Sequence, residues 1–489
     1  MNQEISDGII VLFGATGDLA ERMLLPSLHQ LYQRGLLSEK FALIGADKNN
    51  ITEKAFKEHV EKAVKNGPNF EQLSQEFIDH CRYQKTDLTE LEDLKALGQE
   101  IELLAKEFDS SDEYTYYYSI PPKFYDETTS HIKKAKITEI EGEHRVVVEK
   151  PVGDSLETAE DYHDLLLQAF QKENIYFMDH FPGMDFTQNI LTSRFYNPLI
   201  EDIWNNKFID NIQISLPENL SIGTRGAYYD ENGVLFDMFQ NHLLQILSIV
   251  AMELPDELSS KEIHKNKLDL LKKIPSLTQE EVAEKVVRGQ YQADSEGKFN
   301  SYRREDQVAV DSDTATYIAA ELSIDDPRWE GVPIYLRTGK ALIEHYTAVD
   351  IFLKPSKTIE PDVGSRLTFM IEPPLGLSFV LNQKKANNTF EPAVTFIGPD
   401  KDRFEDKYVP HPYENMIYNA LVADRTFFPS FEQIKEQWRI TDGISRAWEA
   451  MEVPNFPNYR ANTFGPIAAE ILLDKKNNVW VKRSITKDK

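Results

Sequence analysis

Short apolar strand segments alternate with helical segments through the first third of the chain, and this alternation constrains the fold more than any other feature. The first segment, Ile9–Phe13, is a continuous run of strand-forming residues, and leucines at helical spacing follow it. The strand pattern returns at residues 41–45, 114–120 and 145–149. Apolar strands that alternate with helices are typical of a doubly wound parallel sheet. The sequence therefore predicts an α/β domain over residues 1–178.

After about residue 178 the pattern changes, and strand-like segments separated by short, turn-rich connections become dominant. These segments are residues 212–216, 316–322, 332–336, 348–353, 366–371 and 377–381. Closely spaced strands of this kind favour antiparallel pairing. We therefore predict a larger α+β domain over residues 179–489, in which helices such as residues 235–253 pack on one face of a mostly antiparallel sheet.

Composition limits the partners that such a chain can have. The 489 residues include 81 acidic and 54 basic side chains, and the formal net charge is −27. A field of this sign repels DNA, RNA and anionic lipid, so neither a nucleic-acid partner nor a membrane partner is expected. An anionic substrate would need a local cluster of cations to overcome the same field.

Cysteine and histidine usage point to a protein of the reducing cytoplasm without a metal site. Cys81 is the single cysteine, which excludes an internal disulfide and a cysteine-based metal site. The 11 histidines include no pair at i, i+4 spacing, so no metal is expected. The first residues lack a basic flank, and the longest strongly apolar stretch, residues 243–254, is too short to cross a bilayer. We expect a cytoplasmic globular protein.

A glycine turn joins the first strand to the helix that follows it. The turn consists of Gly14, Ala15, Thr16, Gly17, Asp18 and Leu19. In this position glycines let the backbone approach a pyrophosphate, and the helix N-terminus offers N–H donors. The spacing is G-x-x-G-x-x-A, which departs from G-x-G-x-x-G, and a tight turn without a ligand is the alternative. The position of the turn predicts a Rossmann-like dinucleotide-binding domain.

Two charged residues follow the second predicted strand, where a Rossmann-like domain meets the adenosine ribose. Asp47 can accept hydrogen bonds from a ribose 2′-hydroxyl and would repel a 2′-phosphate, which favours NAD. Lys48 could pair with that phosphate, which favours NADP. The alternative is that Asp47 caps the next turn. NAD or NADP is therefore the expected cofactor, and NAD is favoured.

Seven segments in one order resemble the glucose-6-phosphate dehydrogenase family. They are residues 14–20, 149–153, 179–180, 225–230, 240–243, 328–333 and 337–340. The resemblance covers nearly the whole chain. It implies a Rossmann-like N-terminal domain, a larger α+β domain, a sugar substrate, and a homodimer or homotetramer assembled through the antiparallel sheet.

The resemblance also implies the chemistry and the residues that perform it. His242 matches the base that removes the proton of the C1 hydroxyl of a β-hexopyranose, while hydride passes to NAD(P) and the δ-lactone forms. Asp179 matches the carboxylate that orients this imidazole, and an imidazole suits a general base near neutral pH. Lys150 matches a lysine between sugar and cofactor, and Pro151 a cofactor-side proline after a cis peptide bond.

Further residues match the sugar-binding part of the family's site. Glu218 and Asp237 fall where the family places carboxylates that receive sugar hydroxyls. Lys340 follows as part of the seventh segment and is a cation available to the substrate. His180 matches a histidine that contributes to the pocket for the 6-phosphate.

Four positions depart from the family pattern around that phosphate. Phe181 replaces a tyrosine, Met184 and Met23 replace lysines, and His345 replaces a lysine found in some bacterial members. Losing three hydrogen bonds to a charged group could weaken phosphate binding by about 4–9 kcal/mol. The sequence therefore predicts a substrate without the 6-phosphate, such as a free or C6-modified hexose.

Two alternatives remain beside this prediction. The first is an ordinary glucose-6-phosphate 1-dehydrogenase of the pentose phosphate pathway, in which Arg22, Arg194 or Lys340 supplies the missing charge. The second is a catalytically silent homologue that only binds a sugar or a nucleotide. The retention of a general base, its carboxylate and the bridging lysine argues against silence.

Overall fold

Two units make up the chain in the computed structural model, which describes residues 5–355, 365–372, 375–384, 390–398 and 408–483. The first unit contains Met1–Met184, Leu258–His264 and Val409–Ile434, and the second contains the remaining residues. These units differ from the predicted division at residue 178 because two later segments pack with the N-terminal part of the chain. Local sequence patterns contain no record of such distant contacts.

The first unit is built on a six-stranded parallel sheet in the order β3-β2-β1-β4-β5-β6. Its strands are β1 (Ile9–Phe13), β2 (Ala42–Asp47), β3 (Cys81–Lys85), β4 (Glu113–Tyr118), β5 (Glu143–Glu149) and β6 (Ile175–Met178). Its helices are α1 (Leu25–Gln33), α2 (Glu53–Asn66), α3 (Gln75–Asp79), α4 (Leu91–Glu107), α5 (Tyr125–Lys134) and α6 (Leu156–Leu166), with α13 (Pro412–Leu421) from the later segment. The predicted Rossmann-like fold is confirmed.

One face of this sheet explains why residues 409–434 belong to the first unit. Leu12, Tyr117 and Val147 project from three neighbouring strands into one buried apolar cluster. Met416 and Ile417 of α13 fill the same cluster. Removal of this apolar surface from water stabilises the attachment of the later segment.

The second unit is built on an eight-stranded sheet in the order β15-β14-β13-β12-β7-β11-β10-β8. Its strands are β7 (Ile209–Pro217), β8 (Val286–Gly289), β10 (Tyr317–Leu322), β11 (Ile334–Gly339), β12 (Ala348–Leu353), β13 (Arg366–Met370), β14 (Gly376–Lys384) and β15 (Phe390–Ile397). A separate two-stranded sheet pairs β9 (Tyr291–Gln292) with β16 (Tyr459–Arg460). Neighbours in the large sheet are antiparallel except for the parallel pair β7 and β11. The predicted α+β class is confirmed.

Helices complete the second unit. They are α7 (Asp185–Tyr196), α8 (Pro198–Asp202), α9 (Gly226–Val234), α10 (Leu244–Ala251), α12 (Gln279–Lys285) and α15 (Ile467–Asp474). Two further helices, α11 (Ser260–Lys272) and α14 (Phe431–Ala450), contain boundaries between the units.

A long apolar segment runs from α9 through a π-helical stretch, Leu235–Leu243, into α10. Gly233 has a φ of +58° and interrupts the helical geometry within it. The span Gly226–Ala251 is long and apolar enough to cross a membrane, but 94% of its apolar window is buried inside the protein. Such burial is typical of a core helix. It places Asp237 and His242, which belong to the π-helical stretch, inside the second unit.

Candidate active site

The glycine turn lies at the carboxyl end of β1. Gly14 has a φ of +72°, and a Cβ built there would lie 2.2 Å from the carbonyl oxygen of Ser119. Only glycine fits this position. The Gly14 N–H donates to the Ala46 carbonyl at 2.9 Å, and the Gly17 N–H donates to the Gly14 carbonyl at 2.9 Å. These bonds turn the backbone into the helix as a dinucleotide turn requires.

Asp47 holds this turn in place. Its Oδ2 accepts hydrogen bonds from the Thr16 hydroxyl at 2.8 Å and from the Thr16 backbone N–H at 3.3 Å. Its Oδ1 accepts from the backbone N–H of Asn49 at 3.3 Å. The carboxylate therefore ties the end of β2 to the glycine turn, a contact that the sequence did not indicate. Lys48, beside it, is exposed.

The residues that follow the turn divide between solvent and core. Asp18 is exposed and pairs with Arg22 at 3.2 Å. Leu19 and Met23 are partly buried against the apolar core of the first unit. Part of the Met23 side chain therefore packs in the core, although the sequence analysis assigned this residue to the phosphate pocket.

The carboxyl end of β5 carries Glu149, Lys150 and Pro151. The peptide bond between Lys150 and Pro151 is cis, as the resemblance implied. Glu149 is partly buried and accepts a hydrogen bond from the Tyr117 hydroxyl at 2.5 Å. Burial is the main cause that raises the pKa of Glu149, to about 7, and the Tyr117 hydrogen bond opposes this shift.

The turn after β6 presents the next group of predicted residues. Asp179 is buried, and its Oδ1 accepts a hydrogen bond from the Phe181 N–H at 3.0 Å. The His180 ring lies 4.7 Å from the Phe181 ring and 5.9 Å from the Tyr413 ring, nearly parallel to the latter. Phe181 is 6% exposed and Met184 is 9% exposed, so both replacements are enclosed apolar side chains.

A charged cluster in the second unit brings together three of the predicted sugar-binding residues. Glu218 and Lys340 directly follow the adjacent parallel strands β7 and β11, which places them at one end of the sheet. The Lys340 Nζ lies 2.5 Å from Glu218 Oε2 and 3.5 Å from Asp237 Oδ2. Arg225 contacts the other oxygen of Asp237 at 3.3 Å. Two carboxylates with matched cations form a polar patch suited to sugar hydroxyls.

Two other predicted residues of the second unit have different surroundings. His242 is 1% exposed and lies on the π-helical stretch that also carries Asp237. The backbone N–H of His242 donates to Asn241 Oδ1 at 2.7 Å. His345 is exposed in the loop before β12.

The sequence missed several residues of these groups. Tyr117 contacts Glu149, and Tyr413 interacts with both Glu149 and His180, yet no local motif marks either tyrosine. Arg225 lies in one of the seven family-like segments but had no predicted role, and its position directly before α9 gave no sign that it contacts Asp237. Glu149 begins the segment 149–153 but had no predicted role, and its place at the end of a buried strand was a second signal for it.

Comparison with known proteins gives matches along almost the whole chain. The model for the glucose-6-phosphate dehydrogenase NAD binding domain matches residues 11–189, and the model for the C-terminal domain of that enzyme matches residues 191–481. The chain is 36% identical over 476 residues to a Streptococcus pneumoniae glucose-6-phosphate 1-dehydrogenase, with 96% of each chain covered. It is 33% identical over 480 residues to the enzyme of that name from Leuconostoc mesenteroides, with 97% of this chain and 98% of that one covered.

Solved structures agree with these matches. A glucose-6-phosphate dehydrogenase in complex with its substrate glucose-6-phosphate has a TM-score of 0.89 and 26% identity, and covers 99% of this chain and 100% of its own. The glucose-6-phosphate 1-dehydrogenase from Mycobacterium avium has a TM-score of 0.83 and 29% identity, and covers 98% and 99%. The similarity extends over both units.

Proposed function

This chain belongs to the glucose-6-phosphate dehydrogenase family, and we propose that it is a glucose-6-phosphate 1-dehydrogenase, an oxidoreductase that acts with NAD or NADP. The observation that carries the proposal is the full-length similarity to enzymes of that name, at 33–36% identity over 96–97% of this chain. Similarity of that extent includes both the dinucleotide-binding domain and the domain with the charged cluster.

The relatives favour the phosphorylated sugar over the free or C6-modified hexose that the sequence predicted. The prediction rested on the replacement of phosphate-pocket residues by Phe181, Met184, Met23 and His345. It assumed that no other cation reaches the phosphate. The two cations of the charged cluster, Lys340 and Arg225, are paired with Glu218 and Asp237, so the preference for the phosphorylated sugar rests on the relatives and not on these charges.

Each candidate residue has its own role in the proposed reaction. His242 removes the proton from the C1 hydroxyl, and Asp179 orients and stabilises its imidazole. A bound NAD or NADP would accept the C1 hydrogen with its electron pair as hydride, and the C1–O bond would become the carbonyl of the δ-lactone. Glu218 and Asp237 accept hydrogen bonds from the sugar hydroxyls. Lys150 lies at the end of β5, next to the cofactor-side Pro151.

The first unit would hold the nicotinamide cofactor, which supplies the hydride acceptor. The close approach of the backbone at Gly14 and the N–H groups of the turn fit a pyrophosphate. We propose that NAD is used at least as well as NADP, because the Asp47 charge disfavours a 2′-phosphate. Lys48 has the opposite effect, because its ammonium could pair with the 2′-phosphate of NADP.

A panel of sugars crossed with both nucleotides tests the proposal. Glucose-6-phosphate, glucose and a 6-deoxyhexose would be compared by the absorbance of the reduced nicotinamide. We expect kcat/KM for glucose-6-phosphate to exceed that for glucose by roughly a hundredfold or more. His242→Asn should lower kcat between about a hundredfold and ten-thousandfold. A preference for glucose would restore the substrate predicted from the sequence, and no turnover with any sugar would identify a silent homologue.

We also propose a cytoplasmic homodimer or homotetramer assembled through the large sheet. The outer strands β14 and β15 leave Leu381, Val394, Phe396 and Ile397 between 49% and 69% exposed. Exposed apolar side chains grouped on two strands are typical of an interaction surface. Sedimentation of the wild type beside a Val394→Glu, Phe396→Glu variant measures this, and a monomeric wild type would contradict it.

A further inference from the structure

Glu149 has no role in the proposed chemistry, yet its carboxylate joins two distant parts of the first unit. It lies at the carboxyl end of β5. Tyr117 on β4 donates its hydroxyl to Glu149 Oε1 at 2.5 Å. The hydroxyl of Tyr413, near the start of α13, interacts with the same carboxylate and helps to lower the pKa of Glu149. Glu149 therefore connects the sheet to the helix that the later segment contributes.

Tyr413 in turn contacts His180. Their ring centroids are 5.9 Å apart and the planes differ by 13°, so the rings are stacked. His180 lies directly after Asp179 and against Phe181. Tyr413 therefore interacts with Glu149 through its hydroxyl and with His180 through its ring, and it links the two side chains.

We propose that Glu149 is a positioning residue: its carboxylate fixes Tyr413 and, through the Tyr413 ring, holds the His180 imidazole where the substrate phosphate binds. This inference rests on the proposed function, because it takes His180 to contact glucose-6-phosphate. It assigns a purpose to a carboxylate that is costly to bury and that transfers no proton to the substrate.

Several titratable groups face Glu149 from the elements around it. Tyr117 on β4, Tyr413 on α13 and the adjacent Lys150 favour its charged form, whereas Asp179 after β6 opposes it. Burial outweighs these influences and raises the pKa of Glu149 to about 7. Tyr125 on α5 donates its hydroxyl to the Glu149 backbone carbonyl, at 3.5 Å.

The charge of Glu149 therefore changes near neutral pH, while the phenols remain protonated. Burial raises the pKa of Tyr117 and that of Tyr413 well above the usual value, so both stay donors. Above about pH 7 the carboxylate accepts both hydroxyls. Below it, the protonated carboxyl is a weaker acceptor, and the support for His180 weakens.

The test compares Glu149→Gln with wild type over a range of pH. The ratio of their KM values for glucose-6-phosphate cancels the titration of the substrate itself. At about pH 8.5 we expect this ratio to be roughly tenfold, the factor for one hydrogen bond to a charged group, and at about pH 6 to approach one. The KM for the nucleotide should change less than twofold. A damaged fold would instead give a ratio that does not depend on pH.

Two tyrosine variants complete the test. Tyr413→Phe keeps the stacked ring but removes its hydroxyl, and it should raise the KM for the sugar at about pH 8.5 without raising that for the nucleotide. Tyr116→Phe is the matched control, because Tyr116 is a buried β4 tyrosine whose hydroxyl contacts His144 at 2.9 Å instead. It should leave both KM values and their pH dependence unchanged.

The outcomes separate this inference from the function on which it rests. A wild type that does not oxidise glucose-6-phosphate at any pH overturns the proposed function, and the inference with it. An active wild type with a flat Glu149→Gln ratio, or with a Tyr413→Phe variant like wild type, overturns the inference alone.

Discussion

The ammonium of Lys340 lies 2.5 Å from the carboxylate of Glu218, at the paired ends of two parallel strands. The Glu218 N–H donates to the carbonyl of Gly339, directly before Lys340, at 3.0 Å. Backbone pairing therefore fixes the two charges at one edge of the sheet before any sugar arrives. The Lys340 Nζ also lies 3.5 Å from Asp237, which keeps that carboxylate oriented as well.

Glu218→Gln should therefore weaken sugar binding more than it slows the chemical step. The amide accepts a sugar hydroxyl less strongly than a carboxylate and no longer pairs with Lys340. We expect KM for glucose-6-phosphate to rise roughly tenfold and kcat to change little. Glu321→Gln, which breaks the 2.5 Å ion pair with Lys476 in the same unit, is the control and should leave both constants unchanged. An equal rise in KM for glucose-6-phosphate in the two variants would argue against a sugar site at Glu218.

Met184→Lys should improve use of the phosphorylated sugar. It restores the lysine that the family pattern places in the phosphate pocket, and a charged contact contributes roughly 1.5–3 kcal/mol. We expect KM for glucose-6-phosphate to fall roughly tenfold and KM for glucose to stay the same. Met23→Lys is the comparison, because Met23 packs partly against the core and should give no gain. If folded Met184→Lys shows no gain either, Met184 lies outside the pocket.

Asp47→Ala separates two roles for one carboxylate. Asp47 accepts hydrogen bonds from the Thr16 hydroxyl and N–H, so its loss should loosen the turn and raise KM for both nucleotides, less for NADP because the charge that opposes its 2′-phosphate is lost as well. Thr16→Val removes one of those two bonds and should have a smaller effect of the same kind. If Asp47→Ala instead raises KM for NAD alone and improves NADP, the carboxylate contacts the ribose.

Much of the fold could be predicted because buried strands are continuous apolar runs. The predicted strands at Ile9–Phe13 and Ala348–Leu353 have the observed bounds. The edge strand Cys81–Lys85 was missed, since its exposed side leaves polar residues in it. The attachment of residues 409–434 to the first unit was also missed, because it depends on contacts between residues far apart in sequence.

The candidate site residues also divide into those that local sequence predicts and those that depend on contacts between distant segments. Lys340 could be predicted from a short family-like segment, Glu218 and Asp237 from the positions where the family places carboxylates, and the structure brings the three together. Tyr413 could not, because it contacts Glu149 across an interval of 264 positions and lies in no motif. Packing between distant segments places such residues, and a single sequence contains no local trace of it.

Glu149 should also reduce the stability of the fold as pH rises. Its pKa is raised from 4.5 in the unfolded chain to about 7 in the folded protein, mainly by burial. A raised pKa means that its contribution to stability is fully present below about pH 4.5 and is lost as pH rises through about 7. Glutamine does not titrate, so wild type should lose about 2–3 kcal/mol relative to Glu149→Gln between about pH 5 and pH 8. Urea unfolding of both proteins at the two pH values measures this difference, with the exposed Glu102→Gln as the control for loss of a surface charge. A difference that stays constant or grows in favour of wild type would mean that Glu149 is already ionised throughout this range, and that the phenols of Tyr117 and Tyr413 outweigh its burial.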